Sequence, residues 1–230
     1  MRLYRYMTMS SAMSTIHKGM WRLGRITDFN DPFDCLFAFR HGGLSMPEDF
    51  YSPFSMKFRN EEFSKYGILC FSRNCSTPAM WAHYAQGMTG VCFECEMPES
   101  ESLYPVEYSH QRLIFDVTDD RYLSSQECRD HVTKIIQTKH SSWSYEEEQR
   151  VFLKLGEGKV VQRSPRRSAY GDEPRHWIQI DPGVIQRVIV GPLATDGDVN
   201  KLKELMTRPV FKGVGVLKAR IHPTQYRVDI

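Results

Sequence analysis

The alternation of apolar and polar positions divides the chain into short strands and amphipathic helices in irregular succession. Residues 3–7 read as a first strand, 10–19 as a helix with a Ser/Thr-rich start and a Gly stop, and 21–26 as a second strand. An apolar run at 67–72 predicts a buried strand, and Pro78 sits in the first turn of a helix over 77–86. Strands follow at 90–96 and 103–108. Residues 119–139 carry the longest helical pattern, with Tyr122, Val132, Ile135 and Ile136 at its apolar positions. Beyond an acidic, β-prone run at 143–153 come a strand at 184–190, a helix at 196–206 and strands at 214–221 and 226–230. Two stretches lack this order. Residues 40–66, with Gly42, Gly43, Pro47 and Pro53, read as a loop with a short helix and a candidate lid, and 156–177 reads as a basic-aromatic loop. No repeat and no linker splits the chain. Residues 1–230 are therefore expected to form a single α+β domain, a curved, mostly antiparallel sheet with flanking helices.

Composition narrows the class. The 230 residues suffice for a sizeable core, and a formal net charge of +2 gives no global case for nucleic acid. Eleven Tyr, thirteen Phe and four Trp suit β-structure and a lined pocket. The opening residues lack the apolar stretch of a signal peptide, and no apolar run approaches the roughly 20 residues that span a bilayer. A cytoplasmic protein without membrane contact is expected, its six cysteines reduced. Cys92 and Cys95 have zinc-like spacing but lie in a strand pattern with no turn between them, so no metal is expected there.

The densest chemistry lies in Trp143-Ser144-Tyr145-Glu146-Glu147-Glu148-Gln149-Arg150. Read as a strand, this puts Glu146, Glu148 and Arg150 on one face. Such a face suits a cleft, where a carboxylate pair holds a sugar hydroxyl or polarises a nucleophile; it equally suits a solvated edge strand. Arg5, sharing a strand face with Leu3, suits a diphosphate clamp or a surface position. Ser72, ending its strand, suits a ribose contact or a strand cap. His83 and Tyr84 suit acid–base work or plain helix packing around Trp81. Arg163, Arg166, Arg167 and Arg175, with Trp177, suit phosphate contact and base stacking or a solvated loop.

Several motifs occur in a fixed order: Leu3-Tyr4-Arg5-Tyr6, Phe29-Asn30-Asp31-Pro32-Phe33-Asp34, Leu69-Cys70-Phe71-Ser72, Met80-Trp81-Ala82-His83-Tyr84-Ala85, Gly90-Val91-Cys92-Phe93-Glu94 and the acidic run. Together they resemble a widespread bacterial and phage family carried as a domain of unknown function, from the N-terminus to about residue 193. The order Arg, Ser, Glu on successive strands is also similar to the ADP-ribosyltransferase-like fold of RES-type NAD-degrading toxins and DarT-type DNA ADP-ribosyltransferases. That second resemblance implies NAD as substrate, Arg5 on its pyrophosphate, Ser72 on the nicotinamide-side ribose, Glu148 as catalytic glutamate and Glu146 as the first acid of an E-x-E pair. Some of Tyr4, Tyr6, Trp81 and Tyr84 would wall the nicotinamide, His83 would be a further NAD contact, and Asn30 and Asp31 would shape the mouth. It implies an NAD-cleaving enzyme, an ADP-ribosyltransferase or NAD glycohydrolase, in phage–host conflict; DNA, RNA, protein, a small molecule and water all stay open as acceptor, and the basic segment favours DNA or RNA. Two other classes fit the residues: a nuclease or nucleic-acid binder with Glu146, Glu148 and Asp34 holding Mg²⁺, and a non-enzymatic interaction module.

Overall fold

A computed structural model describes residues 1–41, 61–98, 103–117, 126–156, 160–163, 175–181 and 183–230. In chain order these form β1 (Arg2–Met7), α1 (Met9–Lys18), β2 (Met20–Arg22), β3 (Ala38–His41), β4 (Tyr66–Ser72), α2 (Pro78–Tyr84), β5 (Val91–Glu96), β6 (Leu103–Pro105), β7 (Glu107–Ser109) and β8 (Ile114–Val117). They continue with α3 (Gln126–Ile136), β9 (Thr138–His140), β10 (Glu148–Lys154), β11 (Val160–Arg163), β12 (Arg175–Gln179), β13 (Ile185–Val190), α4 (Asp196–Leu205), β14 (Gly215–Lys218), β15 (Arg220–Ile221) and β16 (Val228–Asp229).

The architecture is α+β. Its main sheet has the order β14-β13-β5-β1-β4-β10-β6, with every neighbouring pair antiparallel except β13 and β14. Strand alternation sorts side chains to two faces. On one face Leu3, Leu69, Phe71, Phe93 and Val151 pack under α1 and α4. Helix α1 is defined at both ends: the Thr8 side chain accepts the Ser11 N–H, and Gly19 closes the helix in a left-handed conformation. The other face is divided. Tyr4, Trp81, Cys92 and Ile189 form one cluster, and Ile68, Phe152, Phe37, Phe115 and Ile135 another.

The division follows a seam in the sheet. Strand β1 pairs with β5 from Arg2↔Glu96 to Met7↔Val91, and β4 pairs with β10 from Ser72↔Glu148 to Tyr66↔Lys154. Between β1 and β4 the register holds one pair, Tyr4↔Ser72. Elsewhere along this edge Ile68 of β4 exchanges backbone hydrogen bonds with Gly24 instead, both 2.9 Å. The sheet is thus two fully paired halves joined at one point, and the gap between them is where a cavity can open without breaking either half.

Several boundaries differ from the sequence reading. The acidic run is not one strand: Ser141–Glu146 is a 3-10 helix, Glu147 turns the chain at φ 45°, and only Glu148 onward is extended. Residues 103–108 divide into β6 and β7, which pair with β10 and β9 respectively. The predicted helix over 119–139 ends at Ile136, and Lys139 lies in β9. The ends of the supposed loop at 156–177 are β11 and β12, which pair with each other and, through β12, with β2. Most of the candidate lid, residues 42–60, lies outside the described residues. No helix among the described residues is long and apolar enough to cross a membrane.

Two glycines set the approach of α2 to the sheet. Gly191 donates its N–H to the Gly90 carbonyl at 2.8 Å. A Cβ on Gly191 would stand 2.1 Å from the Met88 carbonyl oxygen, and one on Gly90 would stand 2.5 Å from that of Met7. Backbone cannot yield as a flexible side chain does, so Gly191→Ala should cost at least about 1–3 kcal/mol in urea unfolding. Gly215, with open space around it, is the control: its alanine variant should stay within roughly 0.5 kcal/mol of wild type. Equal stability of the two variants would contradict the packing described here.

Candidate active site

The seam opens into a cavity of about 390 Å³. It takes in Tyr4, Arg5 and Tyr6 from β1, Asn30 from the turn after β2, and Ser72 from the end of β4. His83 and Tyr84 close it from α2, and Glu146, Glu148 and Lys139 line its charged end. The register explains the convergence, because Tyr4, Ser72 and Glu148 are successive partners across three strands.

Behind the cavity lies a buried charge cluster built on Arg150, which is 0% exposed. Its guanidinium grips Asp34 through Nη1–Oδ1 at 2.9 Å and Nη2–Oδ2 at 2.6 Å. It also grips Glu148 through Nε–Oε1 at 2.8 Å and Nη2–Oε2 at 2.9 Å. A fifth bond runs to the Ile136 carbonyl at 2.9 Å. Planar, forked donors grip each of two carboxylates through two bonds, which the single nitrogen of a lysine could not do. The Phe29–Asp34 motif serves this grip: Asp31 Oδ1 accepts the Phe33 N–H, tightening the turn that delivers Asp34. Lys139 Nζ lies 2.6 Å from Glu146, 3.4 Å from Glu148 and 3.7 Å from Asp34.

The two glutamates therefore differ. Burial pushes the Glu148 carboxyl up, but the charges of Arg150 and Lys139 and the hydrogen bonds from Arg150 and Cys70 more than reverse it, holding it down at about 2. Glu146 is raised: burial and the neighbouring Glu148 charge outweigh its contacts with Lys139 and Tyr84. The Tyr84 hydroxyl donates to Glu146 Oε1 at 2.5 Å and accepts from Asn30 Nδ2 at 3.2 Å. Burial first, and then the Glu146 charge, push that phenol far above its usual range, so Tyr84 is a donor and not a base.

Arg5 is the opposite case. Its Nη1 donates to the Cys70 carbonyl at 2.8 Å, its Nη2 is 3.4 Å from the Arg22 carbonyl, and its Nε is buried without a partner. The rings of Trp21 and Phe71 lie 5.5 Å from the guanidinium. Among the described residues no carboxylate pairs with it, and burial lowers its pKa. A half-buried cation that lines a cavity with no carboxylate partner among the described residues has the chemistry to receive an anion.

Of the other predicted residues, Ser72 and His83 line the cavity and Trp81 and the described part of the basic segment do not. Trp81 is fully buried, donates its indole N–H to the Cys75 carbonyl at 2.7 Å and packs edge-on to Tyr6, so it supports a wall without forming one. Ser72 lines the cavity, but its hydroxyl also closes the turn to Asn74. His83 meets the Tyr145 hydroxyl at 3.0 Å, beside Trp143. Of the basic segment, Arg166 and Arg167 lie outside the described residues, as does the Arg163 side chain at the end of β11. Arg175 is half-buried in β12, and Trp177 is buried under Lys18, whose Nζ lies 4.0 Å from the ring centre. Trp177 is therefore not available to stack a base. The described residues contain no cluster arranged to hold a metal ion; the three carboxylates of the Mg²⁺ reading surround the Lys139 ammonium instead. Cys92 and Cys95 are free thiols buried on opposite faces of β5.

Lys139 is a site residue that motif reading passes over, and Arg150, which the strand pattern places on the face of Glu148, is given no role by it. Lys139 does carry a signal: it stands four residues after Ile135 and three after Ile136, on the apolar stripe, where a lysine is expected only if paired.

Breaking the cluster should be costly. Arg150→Met leaves Asp34 and Glu148 without their shared cation and should destabilise the protein by about 3–5 kcal/mol in denaturant unfolding. A loss under 1 kcal/mol would contradict the cluster. The pH dependence has two signs. Glu148, depressed in the folded state, contributes stability that is present above its ordinary value of 4.5 and is lost as pH falls towards about 2. Glu146, raised in the folded state, opposes folding once pH rises above 4.5. Glu146→Gln should therefore flatten the stability profile above pH 4.5, and Glu148→Gln should flatten it below.

Residues 80–151 match a protein family described as Protein of unknown function (DUF2971). The match runs from Met80 to Val151, less than half of the chain, and takes in Tyr84, Lys139, Glu146, Glu148 and Arg150 while stopping short of Arg5, Asp34 and Ser72. No curated protein and no solved structure matches the chain. Across the segment that supplies most of the buried charge cluster, the chain is thus similar to a family of unknown function.

Proposed function

We propose that the protein cleaves the nicotinamide–ribose bond of NAD on an ADP-ribosyltransferase-like fold, passing the ADP-ribosyl group to an acceptor or to water. The observation that carries this reading is the placing of two unlike charges along one seam. Arg5 has no carboxylate partner among the described residues, and Glu148, one strand beyond Ser72, is held ionised. An NAD molecule supplies what each lacks: a diphosphate for Arg5 and, during bond cleavage, a developing positive charge on the ribose for Glu148. A cavity of about 390 Å³ is in the range of small-molecule sites.

The roles divide as the two carboxylates do. The C–N bond breaks with its electron pair leaving on nicotinamide, which departs neutral, and the ribose passes through an oxocarbenium-like state, as in glycoside hydrolysis. Glu148, fixed by Arg150, is a preorganised negative charge for that state and needs no reorientation. Glu146, held by Tyr84 and Lys139, takes the proton from the acceptor or water as its oxygen or nitrogen bonds to the ribose carbon. The Mg²⁺-nuclease reading loses support, because Lys139 and Arg150 already neutralise the carboxylates a divalent ion would need.

Nicotinamide release from NAD tests the proposal. Glu148→Gln should lower kcat by about 10²–10³-fold, Glu146→Gln should lower it by about 10²-fold, and Arg5→Gln should mainly raise KM. Folded wild-type protein that releases no nicotinamide with single-stranded DNA, RNA, host lysate or buffer alone would overturn it.

A further inference from the structure

A second cavity, of about 290 Å³, shares Lys139 with the first but is otherwise lined by different residues. Its floor is apolar, with Leu36, Leu113 and Ile135. Its polar lining contains His110, His140 and Arg112 and, among the described residues, no Asp or Glu. The Ser142 backbone N–H donates to His140 Nδ1 at 3.3 Å, which places the proton of the neutral ring on Nε2 and makes that nitrogen a donor. His110 lies with its ring centre 6.0 Å from that of His140, its Nδ1 2.7 Å from Ser141 Oγ.

Phe33 supplies the second half of the site. It is 54% exposed, although Asp31 and Asp34 on either side are buried. The Arg112 guanidinium lies 5.0 Å from its ring centre. An aromatic ring held outward beside a guanidinium and two imidazoles presents a flat apolar surface and several N–H donors to one space. A phosphate monoester on a planar, apolar body has the complementary chemistry.

We propose that this cavity binds a nucleotide through a phosphate monoester, with Arg112, His110 and His140 on the phosphate and Phe33 against the base. The site stands whether or not NAD is the substrate of the first cavity. The test titrates adenosine 5′-monophosphate into the full chain and follows the imidazole resonances of His110 and His140. Both should shift saturably, Arg112→Gln and Phe33→Ala should each weaken binding about tenfold or more, and Arg5→Gln should leave it unchanged. No saturable shift at millimolar nucleotide would overturn the proposal. So would binding abolished by Arg5→Gln but kept in Arg112→Gln, or equal affinity for inorganic phosphate. A 5′-phosphorylated trinucleotide that binds as tightly as the mononucleotide would identify a nucleic-acid end as the source of the phosphate; its exclusion, with the mononucleotide bound, would identify a free nucleotide.

Discussion

The Arg150 guanidinium fixes the mutual placement of chain segments that the apolar cluster of Phe37, Ile135 and Phe152 brings near one another. Its fork joins Asp34, from the turn after β2, to Glu148, from the start of β10, and reaches the end of α3 at Ile136. Lys139 adds the 3-10 helix through Glu146. Three carboxylates and two cations, buried to a few per cent exposure, are expensive to desolvate. Replacing them with well-packed apolar side chains would serve stability as well or better, so their presence points to a requirement other than stability. Their effect here is a carboxylate kept ionised and oriented at the edge of a cavity.

The seam between β1 and β4 is the second condition. One register pair, Tyr4↔Ser72, joins the two halves of the sheet, and the unpaired Cys70 carbonyl accepts from Arg5. A backbone group that strand pairing leaves unsatisfied is thus met by a side chain with donors to spare. The same arrangement brings a positive charge with no carboxylate partner among the described residues to a cavity whose far end is a clamped carboxylate. Neither half of the sheet alone would produce that contrast.

Strand and helix positions were largely legible in the pattern of apolar residues, because β1, β4, β5 and β13 are buried runs and α1 carries clear signals at both ends. The acidic run misled for a physical reason. Alternation over Glu146, Glu148 and Arg150 does put Glu148 and Arg150 on one face, but Glu147 in a left-handed conformation returns Glu146 to the same cluster from a helical turn. Strand periodicity carries no information about such a corner. The basic segment misled in the other direction: Trp177 lies between arginine-rich sequence and a polar strand end, yet β12 turns it inward against α1. The seam itself was beyond sequence reasoning, since strand order and register arise from contacts between residues far apart in the chain.

The carboxylate division is the claim on which the site's chemistry rests. Site-resolved carboxyl-carbon NMR of glutamate-labelled protein, titrated from neutral pH downward, reads it directly. Glu148 should stay ionised until the protein unfolds in acid, and Glu146 should take up its proton above 4.5, the ordinary value for a glutamate. Protonation of Glu148 before Glu146 would contradict the account, because the permanently charged group at the seam would then not be the one that Arg150 holds.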